Sequence, residues 1–380
     1  ADPPQPATRT VRPPCRSEQP SVNGHRLTVG TICSGIGGAE LALDTLGFTM
    51  CAWQAEIDPY ASRVLSARWP DVRNIGDITT TDWTQVEPVD AIAAGYPCQG
   101  ESVAGLQKGA DDERWLWPAV RAAIRTVNPR WVFIENVANH LRVSFPEVVE
   151  DLAGLGFDAE WGVYASSDIG ACHRRRRLWV VAANRRRARL WPDTRRGDRS
   201  ETASGGRTNP NNFARGGSPD DRRPSGPVTL LPTVTTVDGR TASRCVRDAS
   251  TLRGVLASLT QPDDASPIDG LFGEYAPAVH RWTRLFRAAP PSPFTITTRS
   301  NRVLNPAFAE WMMGYPAGWV TRVGYPAGGM TALPGFDPST ETIPHGQQIR
   351  CVGNAIQPQT AVEAWGQLAA RFDNVTLVDR

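Results

Sequence analysis

Two short polar segments hold the residues best suited to covalent chemistry, and each segment follows an apolar run. The segment AGYPCQG at 94–100 places Cys98 beside a rigid proline, and WVFIENV at 131–137 ends in Glu135 and Asn136. A free thiol has a pKa of about 8.5, so part of it is nucleophilic thiolate at neutral pH. A buried carboxyl can carry a raised pKa and donate a proton. The pair indicates covalent catalysis, although each residue alone also fits an inert small side chain or a helix cap.

A run of arginines adds positive charge near these groups. The segment HRRRR at 173–177 leads directly into the apolar run LWVVA. Alternate side chains of an extended segment point to the same face. We therefore expect Arg175 and Arg177 on one face, entering a site, with Arg174 and Arg176 on the other face toward phosphate or solvent.

A glycine turn indicates a ligand-binding loop. The segment SGIGG at 34–38 separates an apolar run from a helical pattern at 40–46. Glycines at such a turn let the backbone approach a ligand closely. Glu56 ends the second apolar run about 20 residues further on, where a carboxylate can accept ribose hydroxyls. Asp77 could hold an adenine amino group, but a plain tight turn and a solvated aspartate are open alternatives.

The elements that must position these residues alternate along the chain. Six apolar runs have the length of strands, and they lie at Leu27–Cys33, Met50–Ala55, Val89–Ala94, Trp131–Ile134, Ala159–Ala165 and Leu178–Ala182. Helical patterns lie between them, notably at 111–127 and 146–155. Such alternation predicts an α/β fold with parallel βαβ units in a doubly wound sheet, and ligands at the carboxyl ends of its strands.

Composition narrows the class of protein. The chain has 380 residues and a net charge of +2, and Lys108 is the single lysine among its 41 basic residues. Arginine suits bidentate recognition of phosphates and guanine edges. Seven scattered cysteines without a Cys-x-x-Cys pair, and five histidines, favour neither a disulfide framework nor a metal site. Because no apolar run has the length of a membrane span, we expect a cytoplasmic protein.

Seven motifs occur in an order that resembles the DNA (cytosine-5) methyltransferase family. They are SGIGG at 34–38, EIDPYA at 56–61, PCQ at 97–99, FIENV at 133–137, HRRRR at 173–177, RVLNPAFAEWMMGYP at 302–316 and CVGNAIQP at 351–358. The resemblance covers about residues 28–183 and 302–370.

The resemblance implies a Rossmann-like methyltransferase sheet and a reaction on DNA. The enzyme would transfer a methyl group from S-adenosyl-L-methionine to carbon 5 of cytosine in duplex DNA at a specific sequence. Cys98 would attack carbon 6 of a flipped-out base, and Glu135 would contact N3 and the exocyclic amine. Arg175 would hold the base carbonyl, with Arg177 supporting the loop.

The resemblance also implies a set of cofactor-binding residues and a division of the chain. The residues that would hold the cofactor are Ser34, Gly35, Ile36, Gly38, Glu56, Ile57, Asp77, Ile78, Pro97 and Asn354. The chain would divide into a disordered leader at 1–26, a catalytic and cofactor-binding domain at 27–183, an irregular target-recognition domain at 184–340, and a C-terminal segment at 341–380 that returns to the catalytic domain. Three positions depart from the family pattern, namely Cys33, Glu101 and His173.

Other functions fit parts of the same pattern. A tRNA cytosine-5 methyltransferase would share the fold, but the long arginine-rich insertion favours DNA. A catalytically silent DNA-binding protein is disfavoured by intact Cys98, Glu135 and Arg175. A dinucleotide-dependent oxidoreductase fails because the glycine pattern is incomplete. We expect one chain to suffice for the reaction, with duplex DNA as partner; association with a restriction–modification system stays open.

Overall fold

The structure is a computed structural model, and it describes nine parts of the chain. They are residues 27–48, 50–97, 115–187, 228–235, 252, 255, 268–296, 302–323 and 343–375. The predicted leader at 1–26, Cys98 and Glu101 lie outside the described residues.

A seven-stranded sheet forms the centre of the described structure. Its strands are β1 (Thr28–Ile32), β2 (Met50–Ala55), β3 (Arg73–Asn74), β4 (Ala91–Ala94), β5 (Trp131–Val137), β6 (Phe157–Ala165) and β7 (Arg176–Asn184). Their spatial order is β3-β2-β1-β4-β5-β7-β6. The first five strands pair in parallel, and β7 runs antiparallel to both of its neighbours. The α/β prediction is confirmed, and the sheet is mixed because of the antiparallel strand β7.

The antiparallel strand has a simple cause. β6 ends at Ala165 and β7 begins at Arg176, with only a single 3-10 turn at Ser166–Ile169 between them. A parallel crossover needs a dozen or more residues and usually a helix. The short connection therefore folds β7 back along β6, and β7 inserts between β6 and β5.

Helices surround the sheet and continue beyond it. Those of the first part are α1 (Gly38–Thr45), α2 (Pro59–Arg68), α3 (Trp117–Val127), α4 (His140–Val143) and α5 (Phe145–Gly154). Those of the later part are α6 (Ile268–Phe272), α7 (Ala276–Phe286), α8 (Pro306–Met312), α9 (His345–Asn354) and α10 (Pro358–Val375). A hairpin of β8 (Phe294–Ile296) and β9 (Arg302–Leu304) lies between α7 and α8.

Alternating strand residues build two apolar layers. Trp131 and Phe133 of β5 join the core that includes residues of α1 and α10, whereas Val132 and Ile134 join the core with α3 and α5. Strands buried on both faces are nearly continuous apolar runs, which is why these segments were predictable. The sheet is therefore covered on both sides, and its edge is left for a site.

A third core connects segments that the sequence analysis assigned to different domains. Leu231 and Val234, together with residues of α7 and α8, pack in one cluster with Ile36 and Val64. The proposed boundary at 183–184 stays a prediction. Within the described residues, however, parts of 184–340 contact the elements around the glycine turn directly.

Candidate active site

Five elements present polar groups at one edge of the sheet. The carboxyl ends of β1, β2, β4 and β5 meet there because these strands are parallel. β7 is antiparallel, so its first residues lie at the same edge; Arg177 pairs in register with Val137. The predicted motifs therefore meet, with the exception of Cys98, which lies outside the described residues.

The glycine turn after β1 borders open space on one side and a close contact on the other. Gly35 has φ +57°, and within the described parts of the chain no atom lies within 4 Å of the position that a Cβ would take there. A Cβ at Gly38 would lie 2.3 Å from the carbonyl oxygen of Ile356. Gly35 can therefore accept a ligand above it, while Gly38 lets the turn before α10 pack against the loop.

Glu56 fixes the glycine turn to the end of β2. Its Oε2 accepts the Gly35 N–H at 2.7 Å, and its Oε1 accepts the Asp58 N–H at 2.8 Å. Burial raises the pKa of Glu56, against the lowering effect of these hydrogen bonds. The next residue, Ile57, is 71% exposed. The strand end thus offers a carboxylate and an uncovered apolar side chain, which suits the ribose and base of a nucleoside.

Asp77 and Cys33 form another side of the same candidate nucleoside site. Burial, Glu56 and Asp77 together raise the pKa of the Cys33 thiol to about 12. The thiol therefore stays protonated, and Cys33 contributes an uncharged side chain to this part of the site. Asp77 is exposed, and its Oδ1 accepts from the Thr79 N–H and hydroxyl. Ile78, which follows it, is buried.

A buried carboxyl that sequence reasoning missed lies under the turn. Glu40 Oε1 accepts hydrogen bonds from Thr31 Oγ1 at 2.7 Å and Gln54 Nε2 at 3.0 Å. The Thr31 hydroxyl is in turn 2.6 Å from that of Ser34. Burial raises the pKa of Glu40 to about 7. The available signal was a charged residue within the apolar helical pattern at 40–46.

The remaining predicted cofactor residues lie nearby. Ile36 is buried in the core behind the turn, whereas Pro97 and Asn354 are exposed, at the end of the β4 segment and of α9 respectively. The turn after Asn354 reaches the glycine loop through the close approach of Ile356 to Gly38. Open space over Gly35, exposed Ile57 and two carboxylates together fit a nucleoside-containing cofactor.

Glu135 and Arg177 form an ion pair beside this cradle. Arg177 Nε lies 3.0 Å from Glu135 Oε1, and Glu135 is 8% exposed. Among the described residues, no donor makes a hydrogen bond of acceptable geometry to the same Oε1. A buried polar atom without a hydrogen bond is costly. It therefore marks a place where a ligand can supply a donor.

Arg175 contacts the residues on either side of Asn354, and its contact with a base carbonyl stays a prediction. Its guanidinium is buried, and it donates to the carbonyl oxygens of Gly353 at 3.2 Å and Ala355 at 2.6 Å. The structure thus places Arg177, not Arg175, beside Glu135. Arg174 and Arg176 are exposed, so the predicted alternation of faces is confirmed.

The end of β4 is tied to β5 and α4. Asn136 Nδ2 donates to the Tyr96 carbonyl at 3.3 Å, and the Tyr96 hydroxyl lies 3.0 Å from His140 Nε2. Tyr96 and His140 are both buried. Sequence reasoning missed His140, although it follows the FIENV motif closely. These contacts fix Pro97, the residue that precedes Cys98.

Two negative findings concern the described residues. No group of three or more His, Cys, Asp or Glu side chains within them could hold a metal ion. No helix in the same parts of the chain combines the length and apolar character needed to cross a bilayer.

Solved structures with a similar fold include two methyltransferases. A Dnmt2 methyltransferase of S. pombe has a TM-score of 0.50 at 13% identity, covering 92% of this chain and 100% of its own. A methyltransferase of Entamoeba histolytica gives a TM-score of 0.50 at 13% identity, with coverages of 92% and 99%. At these identities the likeness concerns the fold alone.

Curated relatives match a smaller part of the chain. The type II methyltransferase M.NgoMIV of Neisseria gonorrhoeae is 32% identical over 169 residues, covering 43% of this chain and 54% of its own length. M.HhaI of Haemophilus parahaemolyticus is 32% identical over 153 residues, covering 39% and 46%. A DNA N-6-adenine-methyltransferase of Escherichia phage P1 is 46% identical over 92 residues, covering 23% and 12%. The chain therefore spans about half the length, or less, of these relatives.

A family model covers the part of the chain that carries most of the site. The model for C-5 cytosine-specific DNA methylases matches residues 27–206. This range holds the glycine turn, Glu56, Glu135 and Arg177. Over residues 27–206, the chain therefore matches the C-5 cytosine-specific DNA methylase family.

Proposed function

We propose that the protein transfers a methyl group from S-adenosyl-L-methionine to carbon 5 of a cytosine in duplex DNA. The main support is the ion pair between buried Glu135 and half-buried Arg177, which lies at the same sheet edge as the glycine turn and Glu56. A carboxyl beside a guanidinium matches the N3, amine and carbonyl edge of cytosine. The match of residues 27–206 to the family model supports the same reaction.

The cradle around Gly35 would hold the cofactor. S-adenosyl-L-methionine supplies an electrophilic methyl group when it is bound. Glu56 would accept the ribose hydroxyls, and Ile57 would cover one face of the adenine. The other proposed contacts are Ser34, Gly35, Ile36 and Gly38 on the turn, Asp77 and Ile78 at the adenine, and Pro97 and Asn354 toward the methionine part.

Glu135 and Arg177 would recognise the base. The Oε1 atom of Glu135 that lacks a hydrogen bond is available to a donor on the cytosine, at protonated N3 or the exocyclic amine. Arg177 would donate to the base carbonyl, because it is the arginine beside Glu135. Arg175 would position the site, since its guanidinium already donates to two main-chain carbonyls.

Cys98 would be the nucleophile, as the family motif indicates. Its thiolate adds to carbon 6 while N3 is protonated, and electron density then develops at carbon 5, where the methyl group is accepted. Loss of the carbon 5 proton and expulsion of the thiolate restore the ring. Because Glu135 is buried, a base stacked in a duplex could not reach it, so the base must be flipped out at a cost of about a few kcal/mol.

Duplex DNA would lie against the exposed side of the segment that leads into β7. Arg174 and Arg176 are exposed on the side opposite Arg175, and guanidinium groups pair well with phosphates. One chain carries both the cofactor cradle and the base-recognising pair. We therefore propose that a single chain acts on each site.

The test is to incubate the protein with duplex DNA and methyl-labelled cofactor and to identify the modified nucleoside. The expected product is 5-methylcytosine at a defined sequence. N6-methyladenine would instead favour the chemistry named for the phage P1 relative. Labelling of tRNA but not DNA would support the RNA alternative, and cofactor binding without any transfer would indicate a silent DNA-binding protein.

A further inference from the structure

A short segment beyond the family match runs beside the arginine motif. Residues 228–235 follow the matched range of 27–206. The Leu231 N–H donates to the Cys172 carbonyl at 2.9 Å, and Leu231 and His173 form a parallel bridge. Two residues later, the Thr233 hydroxyl oxygen accepts the Arg175 N–H at 3.0 Å. Leu231 and Val234 are buried, so the segment is anchored on both sides of Thr233.

The backbone of Arg175 has a conformation that needs support. Its φ is +29°, which residues other than glycine rarely adopt. Such a conformation persists only where the surroundings fix it. Arg175 is 5% exposed, so its N–H has little access to water, and the hydroxyl of Thr233 satisfies it.

Arg175 connects the two halves of the candidate active site. Its guanidinium donates to Gly353 and Ala355, the residues on either side of Asn354. Two residues further along the chain, Arg177 makes the ion pair with Glu135. A change in the backbone at Arg175 would therefore reach both the cofactor-side turn and the base-recognising pair.

We infer that Thr233 is a positioning residue: its hydroxyl holds the Arg175 backbone, and thereby sets the Asn354 turn and the Arg177–Glu135 pair together. Through this contact, a segment beyond the matched range of 27–206 controls the geometry of the site. The functional meaning of the inference rests on the proposed function, because it takes Asn354 as a cofactor residue and Arg177 as a base contact.

Other contacts hold the rest of the same loop without Thr233. Arg281 Nε of α7 donates to the Gly170 carbonyl at 3.0 Å, and His173 Nε2 lies 3.0 Å from the Met312 carbonyl oxygen. Burial keeps the pKa of His173 far below its usual value, so its ring is neutral. Loss of the Thr233 hydroxyl should therefore release the Arg175 backbone and leave the loop in place.

The experiment compares Thr233→Val with Thr233→Ser in the full chain. Valine keeps the shape and removes the acceptor, whereas serine keeps the hydroxyl and removes the methyl group. Thr283→Val is the matched control, because the Thr283 hydroxyl only donates to Val279 within α7. Three quantities are measured: hydrogen exchange of the Arg175 amide, the Kd of S-adenosyl-L-methionine by calorimetry, and kcat on duplex DNA.

For Thr233→Val we expect Arg175 amide exchange to be faster by about 10-fold. The Kd should rise and kcat should fall by about 10-fold each, equivalent to about 1.4 kcal/mol for one lost acceptor. Thr233→Ser should stay within about 2-fold of the wild type in all three, and Thr283→Val should match the wild type.

Two results would overturn the inference. One is an unchanged Arg175 exchange rate in Thr233→Val, and the other is a serine variant impaired as much as the valine variant, which would indicate packing of the methyl group. Failure of the proposed function can be distinguished from failure of this inference. If the wild type does not methylate DNA, amide exchange still decides whether Thr233 holds Arg175, and the cofactor Kd decides whether the effect reaches the Asn354 turn.

Discussion

At the scale of single residues, three glutamates of the candidate site differ because their surroundings differ. Glu56 accepts two main-chain N–H groups, Glu135 faces a guanidinium, and Glu40 is buried among hydroxyl and amide donors. Burial raises the pKa of Glu56 and of Glu40, while the hydrogen bonds that they accept act in the opposite direction. One residue type can therefore serve as a ribose acceptor, a partner for the base and a support for the glycine turn.

Glu135→Gln should lower kcat by about 10²–10⁴-fold, because the amide cannot transfer a proton to the base. The Kd of S-adenosyl-L-methionine should be unchanged, since Glu135 lies outside the cradle around Gly35. Steady-state kinetics on duplex DNA and calorimetry provide the two measurements. Glu150→Gln, at an exposed position on α5, is the control, and a fully active Glu135→Gln would contradict the assignment.

Glu40 should make stability depend on pH. Its pKa is raised from 4.5 to about 7 in the folded protein, so the folded state binds more protons than the unfolded state between these values. The neutral Glu40 side chain therefore makes its full contribution to stability below about pH 4.5. This contribution, about 3 kcal/mol in total, is lost as the pH rises toward 7.

Glu40→Gln keeps the acceptor oxygen and removes the titration. As the pH rises from about 4.5 to 7, the wild type should lose stability and the variant should not. The free energy of unfolding of the variant should therefore increase relative to that of the wild type over this range, and the difference should then stay constant. Urea unfolding of both proteins across this range is the measurement. A difference independent of pH would show that Glu40 is already ionised in the folded protein.

At the scale of elements, the position of each strand end is fixed by contacts to its neighbours. The clearest example is the end of β4, where the Tyr96 hydroxyl meets His140 of α4 and the Tyr96 carbonyl meets Asn136 of β5. These contacts join three elements at the residue before Pro97. They explain how a strand of only four residues can present the segment that leads to Cys98.

Tyr96→Phe removes the hydroxyl that contacts His140. We expect the free energy of unfolding to fall by about 1 kcal/mol. We also expect kcat to fall more than the affinity for cofactor, because Tyr96 precedes the Pro97–Cys98 segment. Chemical denaturation and kinetics test both points, and Tyr164→Phe, on the edge strand β6, is the control. Equal losses of kcat and cofactor affinity would indicate a general loosening instead.

At the scale of the whole molecule, the C-terminal helix completes the layer over one face of the sheet. Trp365 of α10 is fully buried, with its ring centroid 5.3 Å from that of Phe133 and 5.5 Å from that of Trp179. β5 and β7, which carry these two residues, also carry Glu135 and Arg177. Packing at the far end of the chain therefore supports the strands of the site.

Trp365→Ala should destabilise the protein by about 3–5 kcal/mol, as expected for a large buried aromatic side chain. Gln367→Ala, at an exposed position on the same helix, should change stability by less than about 0.5 kcal/mol. The measurement is the midpoint and slope of denaturant unfolding. A small effect of Trp365→Ala would mean that α10 adds little to the stability of the sheet.

The sequence predicted what local patterns determine. The bounds of β2 agree with the structure because an apolar run meets polar residues there, and α3 ends at Val127 as expected. The predicted helix at 111–127 begins in the structure at Trp117, with Pro118 in its first turn, where proline fits. The antiparallel direction of β7 could not be predicted, because periodicity does not show which strands become neighbours.

Long-range contacts explain what the sequence could not show at the site. Glu135 and Arg177 could be selected from the sequence because Glu135 follows one recognisable apolar run and Arg177 precedes another. The role of Arg175 could not be predicted, since its acceptors lie 178 and 180 residues away and its φ is positive. His140 and Glu40 were missed because their partners come from other elements.

The antiparallel direction of β7 also sets a minimum length for the stretch of chain that follows it. β7 starts beside the site and ends at the opposite rim of the sheet, about 30 Å away for nine residues. The chain must return across that distance before Leu231 can pair beside Cys172. At about 3.3 Å per extended residue, the return needs roughly ten residues. Above that minimum, relatives could lengthen or exchange the stretch that follows β7 and keep an unaltered reaction centre.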